Sequence, residues 1–249
     1  MSLYIQVLNN LKELKLNNIS ETLSEYLDEK NEEEISTLEI LKELTDKELI
    51  NKRNKAASMN IQMANFPFQK TINDFDFDFQ ESINKKQILD LATLRFIDNK
   101  QNILFIGNPG VGKTHLACAI GIEASKVRLS TYFINCHDLI SNLKKAHYEN
   151  RLTEKLKHYA KYKVLIIDEI GYLPVDREGA NMFFQLIAKR YEKNSTIITT
   201  NQIFSKWGEV FSDNTIATAI LDRLVHHSHI IHINGSSYRV KDSLEIVKN

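Results

Sequence analysis

The sequence predicts an α/β protein: a parallel β-sheet with helices on both faces, preceded by a small all-helical N-terminal domain. Three observations predict it. From Asn102 onward, short apolar runs alternate with helical stretches, as a sheet buried on both sides requires. A glycine-rich loop ending in Lys113-Thr114 joins the first of those runs to a helix candidate. The first ~60 residues instead carry the 3.6-residue period of helices.

In that N-terminal stretch Leu16, Ile19, Leu23 and Leu27 share one helical face. Ser36-Thr37-Leu38-Glu39 has the form of a capping box, in which a hydroxyl and a carboxylate cap each other's backbone N–H. It should open a helix with Leu38, Leu41 and Leu44 on one side. So small a helical unit would be marginal alone, so packing on a neighbour or a partner is expected. The helical period breaks over Asn65–Phe79, with Phe66-Pro67 and then Phe75, Phe77 and Phe79. This segment reads as a linker, giving domains 1–66 and 67–249. Ile103–Ile106, Tyr132–Ile134, Val164–Ile167, Thr196–Thr200 and Ile230–Ile233 read as strands, and ligands of such sheets bind at the carboxyl ends of the strands.

With 43% hydrophobic and 26% charged residues the chain has an ordinary globular composition, which argues against disorder. No apolar run approaches the ~18 residues of a bilayer span. The N-terminus lacks a signal-peptide core. Cys118 and Cys136 match neither metal-ligand nor redox spacing. A cytoplasmic protein without membrane contact is expected. The 32 basic and 32 acidic residues cancel, so net charge points to no partner. The distribution is uneven: residues 1–66 hold 12 acidic and 8 basic side chains, a net of −4, leaving +4 for the rest. Within the rest, Lys144–Lys163 holds seven Lys/Arg against Glu149 and Glu154, a local excess of +5.

Gly107-Asn108-Pro109-Gly110-Val111-Gly112-Lys113-Thr114 is a complete G-x-x-x-x-G-K-T loop between a strand and an alanine-rich helix candidate, Thr114–Ala124. Glycines let successive N–H groups face one concave side and bind phosphate oxygens, and the helix N-terminus adds its positive end. Lys113 supplies charge to the β- and γ-phosphates, and the Thr114 hydroxyl is a hard ligand for Mg²⁺. His115, next in the chain, is grouped with these nucleotide-binding residues. Val164–Ile167 deliver Asp168 to the carboxyl end of a buried strand, where a carboxylate is costly unless it faces a cation or donors. Asp168 is therefore the metal-side carboxylate, and Glu169 the group to orient the attacking water. ATP and Mg²⁺ are the expected ligands. Asn201, ending another strand, is placed to bond the γ-phosphate and the lytic water, or is a plain turn asparagine.

These residues, in this order, resemble the AAA+ superfamily, and the chain over nearly its full length resembles the IstB-type transposition helper ATPases, sisters of the DnaC-type helicase loaders. The resemblance rests on Phe66-Pro67, Lys70-Thr71 and Phe75–Phe77, on GNPGVGKTHLA at 107–117 and LIIDEIGYLP at 165–174. IAKRY at 187–191, ITTNQ at 198–202, Trp207, LDRLVHH at 221–227 and GSSYR at 235–239 extend it. Arg128-Leu129 stand where that family often has a glycine. The resemblance implies that Asn201 is the sensor-1 residue, Arg223 an arginine finger reaching a neighbouring subunit's ATP, and Arg239 the second sensor. It implies a homo-oligomer with ATP sites at subunit interfaces and, with ten residues after Arg239, no C-terminal lid domain.

The expected function is an ATPase that assembles on double-stranded DNA and regulates a partner transposase. A replicative helicase loader is the alternative and a P-loop kinase the remote one. DNA phosphates would meet Lys144, Lys145, Arg151 and Lys155, or that stretch is a solvated amphipathic face; Lys52 and Arg53 are a second candidate. His226, His227, His229 and His232 look like a metal cluster, but strand alternation separates 229 from 232. With no Cys or carboxylate at ligand spacing, zinc is not expected.

Overall fold

The computed structural model describes residues 2–30 and 35–240. The chain divides into two compact units, Met1–Met59 and Asn60–Asn249.

The first unit is helical: α1 (Leu3–Glu13), α2 (Asn17–Glu29) and most of α3 (Thr37–Met63). The capping box forms at the start of α3, with Glu39 N–H donating to Ser36 Oγ at 3.3 Å and Ser36 N–H to Glu39 Oε2 at 2.9 Å. Ile19, Leu23, Tyr26 and Leu44 make the small core, with Leu16 and Ile40 packed against it. Leu27, at the end of α2, is exposed, and so are Leu38 and Leu41 of α3, because the buried face of α3 runs through Ile40, Leu44 and Glu48 at i, i+4 spacing. Glu48 is itself buried. Its Oε2 accepts the Ile19 N–H at 3.0 Å, satisfying an orphan donor in the first turn of α2, whose own N-cap, Leu16, offers no side-chain bond.

The second unit begins within α3, seven residues before the expected boundary at 66/67, because the expected linker belongs to its core. Ala64 accepts the Phe133 N–H at 2.8 Å and Asn65 Nδ2 donates to Phe133 O at 3.1 Å. Phe75 is buried, with Phe66, Phe68 and Phe77 packed beside it. Then follow α4 (Lys85–Ala92), α5 (Arg95–Asp98), β1 (Asn102–Gly107), α6 (Lys113–Lys126), β2 (Thr131–Asn135) and α7 (Cys136–Tyr148). The chain continues through α8 (Leu152–Ala160), β3 (Val164–Ile170), α9 (Arg177–Arg190), β4 (Ser195–Thr200), α10 (Trp207–Val210), α11 (Asn214–Val225) and β5 (Ser228–Ile233). The five strands are parallel in the order β2-β3-β4-β1-β5.

Alternate strand residues feed two separate cores. Ile103 and Phe105, Phe133, Val164 and Ile166, and Ile197 pack with α4, α5 and α6. Leu104, Ile134, Leu165 and Ile167, and Ile198 pack with α7 to α11. Both faces are dry, which is why the strands read as unbroken apolar runs. Arg128, after α6, is in the left-handed region at φ 65, the conformation that favours glycine at a helix end.

Arg190 is the largest buried charge. Its guanidinium donates to the carbonyls of Tyr159, Ala160 and Tyr162 at 3.0, 3.2 and 2.8 Å, to Thr196 Oγ1 at 3.0 Å, and to Ser195 O. Burial pushes its pKa down to about 9, so it stays charged at neutral pH and pins the end of α8 to the start of β4. Arg190→Met should lower stability by roughly 2–4 kcal/mol, because several buried carbonyls lose the guanidinium that donates to them. Urea unfolding measures this; a change within about 0.5 kcal/mol, the range of ordinary surface substitutions, would contradict it.

Candidate active site

The carboxyl ends of β3, β4 and β1 are neighbours, and the phosphate-binding loop leaves the end of β1. Gly110 (φ 82) and Gly112 (φ 98) occupy the left-handed region. A Cβ on Gly112 would stand 2.5 Å from the Phe75 ring, so both conformation and space demand glycine there. Val111 is fully buried, anchoring the loop and leaving only its backbone to a ligand. Lys113 curls back, its Nζ donating to Gly107 O at 2.7 Å and Asn108 O at 2.8 Å, and burial lowers its pKa. Pro109, Gly110, Gly112, Lys113, Thr114 and His115 line a cavity of about 400 Å³.

Asp168, 5% exposed, does not line the cavity itself but is bonded to Thr114 and Thr199, which do. It accepts from Thr114 Oγ1 at 2.9 and 3.2 Å and from Thr199 Oγ1 at 2.5 Å. Burial holds its carboxyl above the usual carboxylate range, an effect that the two hydroxyls partly offset. Thr199 also accepts the Glu169 N–H at 2.9 Å. It therefore ties both acids to β4. The β3–β4 register is irregular between Ile167 and Ile170, and Glu169 lies within that break at φ 59. The kink keeps Asp168 inward while Glu169 is exposed.

Glu169 has a partner that the sequence did not disclose. Asn135 Nδ2 donates to Glu169 Oε2 at 2.9 Å, while Asn135 Oδ1 caps α7 by accepting the His137 N–H at 2.9 Å. The cap fixes which end of the amide faces the carboxylate. An Asn between a strand and a helix was a readable N-cap signal; its reach to Glu169 was not.

Asn201 and Arg239 line the cavity with Glu169 and Thr199. Asn201 Oδ1 is buried without a hydrogen-bond partner. His115 lies in the wall, its Nε2 donating to Thr71 O at 2.8 Å, with its pKa lowered by burial. Arg223 does not line this cavity. It lies on α11, its Nη1 bonded to Ala219 O at 2.9 Å and its guanidinium 4.8 Å from the Phe184 ring centroid. The remaining wall comes from residues not expected here: Phe68, Lys70, Asp74 and Asp76 of the supposed linker, Tyr172, and Tyr238. Tyr238 N–H donates to Gly110 O at 2.9 Å and its hydroxyl to Asp76 O at 2.5 Å, closing the segment after β5 over the loop. The clustered phenylalanines were the available signal.

The chemistry of this cavity fits a nucleotide with Mg²⁺. The positive-φ glycines let the loop backbone curl, Lys113 and Arg239 supply positive charge, and Thr114 with Asp168 is a pair of hard oxygen donors.

The family described as IstB-like ATP binding protein matches residues 9–246. The chain belongs to that family. A protein of insertion sequence IS232 from Bacillus thuringiensis subsp. berliner, named for ATP binding, is 54% identical over 96% of either chain. Among solved structures, AMPPCP-bound DnaA from Aquifex aeolicus matches with a TM-score of 0.58 at 19% identity, over 74% of this chain and 56% of that one. The DnaC helicase loader matches at 0.50 and 23%, over 70% and 98%. These two likenesses speak to the fold, which is of the AAA+ type. Among the described residues no helix is long and apolar enough to cross a membrane.

In this IstB-like chain the basic candidates are partly engaged already. Lys144 pairs with Asp176 at 2.7 Å, Arg151 with Glu149, and Lys155 lies 5.1 Å from the Tyr159 ring centroid. Lys145 is exposed on the last turn of α7. Lys52 stands 3.8 Å from Glu48, and Arg53 is exposed.

The Asp168 geometry gives a prediction about stability. A carboxyl held above its ordinary range favours the fold when protonated, and that contribution is lost as pH rises through its folded pKa. Asp168→Asn keeps an acceptor for Thr114 and Thr199 but cannot ionise. It should stabilise the nucleotide-free protein at neutral pH by roughly 0.5–2 kcal/mol, with a smaller gain in mild acid. Urea midpoints at the two pH values test this, and a loss of stability at neutral pH would contradict it.

Proposed function

We propose that this chain is a Mg²⁺-dependent ATPase that assembles on duplex DNA and regulates a transposase. One observation carries the catalytic part: Thr114 and the exposed Glu169 line one cavity beside the phosphate-binding loop, and the buried Asp168 is bonded to the Thr114 hydroxyl. Loop N–H groups and Lys113 hold the phosphates. Thr114 and Asp168 would hold Mg²⁺, which would supply countercharge to the phosphate oxygens. Glu169 accepts a hydrogen bond from the attacking water and draws off its proton as the water oxygen bonds to the γ-phosphorus and the bond to ADP breaks. Asn201 Oδ1, buried and unpartnered, orients that water. Asn135 restrains Glu169 until nucleotide and water compete for it.

Arg223 lies outside its own chain's cavity and so suits service to a neighbour's, as an arginine finger in a homo-oligomer. Relatives that are 54% and 41% identical over most of the chain are named for insertion sequences. This favours a transposase over a replicative helicase as partner. Exposed Lys145 and its neighbours supply phosphate contacts that read no sequence.

Glu169→Gln should retain ATP binding and slow hydrolysis by roughly 10²–10⁴-fold. Lys113→Ala should lose ATP binding. Equilibrium binding alongside single-turnover hydrolysis separates the two, and wild-type turnover by Glu169→Gln would sink the catalytic assignment.

Assembly is tested by mixing. A Lys113→Ala subunit still offers Arg223, and an Arg223→Ala subunit still offers an intact pocket. Two nearly inactive proteins should together regain part of the ATPase activity once co-purification shows that they associate. Associated but inactive mixtures would return Arg223 to the role of a surface arginine.

A further inference from the structure

Away from the nucleotide cavity, the turn after α9 meets the turn after α11. Glu192 follows Tyr191, the last cap of α9, and takes up the left-handed conformation at φ 55. His226 is the C-cap of α11, and His227 follows it. One ligand atom from each of Glu192, His226 and His227 can be chosen so that all three lie within 4.8 Å of one another. Glu192 Oε1 is 3.6 Å from His227 Nε2 and 4.0 Å from His226 Nδ1.

Around tetrahedral zinc, with bonds of ~2.0–2.1 Å, neighbouring ligand atoms stand about 3.3 Å apart. The three donors therefore need to close by roughly 0.3 to 1.5 Å, which side-chain rotation of exposed residues supplies. Their backbones are held. Asn102, at the buried start of β1, donates its N–H to His227 O at 2.8 Å and its Nδ2 to Leu224 O at 3.1 Å. On the other side, Lys193 and Asn194 N–H both donate to Arg190 O, at 2.9 and 3.0 Å, and Arg190 is the buried staple described above. The Tyr191 hydroxyl lies 2.6 Å from His226 Nδ1, a hydrogen bond that an ion on this nitrogen would replace, leaving the hydroxyl oxygen beside the shell.

We propose that Glu192, His226 and His227 form a binding site for a divalent transition cation of the Zn²⁺ class. Two imidazoles and one carboxylate favour such an ion over Mg²⁺, which prefers an all-oxygen shell, and the exposed setting leaves a position for water. Sequence spacing argued against zinc because strand alternation separates His229 from His232, and it gave no sign of Glu192. Packing of α9 against α11 brings Glu192 from 34 residues before His226. His229 takes no part: its Nε2 is bonded to Gln101 Oε1 at 3.0 Å. Arg223 lies one turn before His226 on α11, so an ion here would hold the end of the helix that carries it.

The test is calorimetric titration of the full-length, nucleotide-free protein with Zn²⁺ in excess Mg²⁺, alongside Glu192→Gln and His226→Ala/His227→Ala. Wild type should bind one Zn²⁺ per chain at this site. Each variant should bind it at least roughly tenfold more weakly while keeping wild-type ATP affinity and its zinc-free melting temperature. Co²⁺ in place of Zn²⁺ should give visible absorption bands that the double variant loses. Zinc titrations that superimpose for wild type and variants, or a wild type that binds no zinc, would overturn the assignment.

Discussion

The active-site end of the sheet depends on one buried carboxylate. Asp168 is carried to the end of an apolar strand, where an ionised acid is costly without donors or a cation. Two threonine hydroxyls meet it, one from the phosphate-binding loop and one from β4. Through Thr114 it is joined to the start of α6, and through Thr199 to the backbone of Glu169. A single group thus sets the spacing of three elements around the cavity. Its partners are short neutral donors that offset only part of the burial, leaving the carboxylate suited to a cation.

The second constraint is the break in the β3–β4 register. A regular strand turns successive side chains to opposite faces; a residue at positive φ in an irregular register changes where the next one points. Glu169 is that residue. The two adjacent acids lie in opposite environments, one dry and one wet, which is how a single fold can give neighbouring carboxylates different roles. Asn135 completes the arrangement because capping α7 fixes its amide.

Much of this was legible in the residues. The five strands and the loop follow from apolar runs bounded by glycine or acid, since local pattern and burial agree there. What escaped depends on contacts between distant segments. Asn65–Phe79 reads as a linker because no period organises it, yet Phe75 is core and Phe68 lines the cavity. Nothing in the neighbourhood of Thr199 marks it as the partner of Asp168. Glu192 and the histidine pair are likewise joined only by the packing of α9 on α11. Leu38 and Leu41 of α3 lie outside the core for a simpler reason: a polar residue, Glu48, shares the buried face with Ile40 and Leu44.

The central claim is that Asp168 and Thr114 bind Mg²⁺ with the nucleotide, so that the cation and ATP stabilise the fold together. The most direct measurement is the melting temperature of the wild-type protein with ATP in EDTA and with ATP in Mg²⁺, each against its nucleotide-free control. The account predicts a clearly larger rise with Mg²⁺ present than with ATP alone. Equal rises in the two conditions would mean that the buried carboxylate takes no part in holding the cation, and would contradict it.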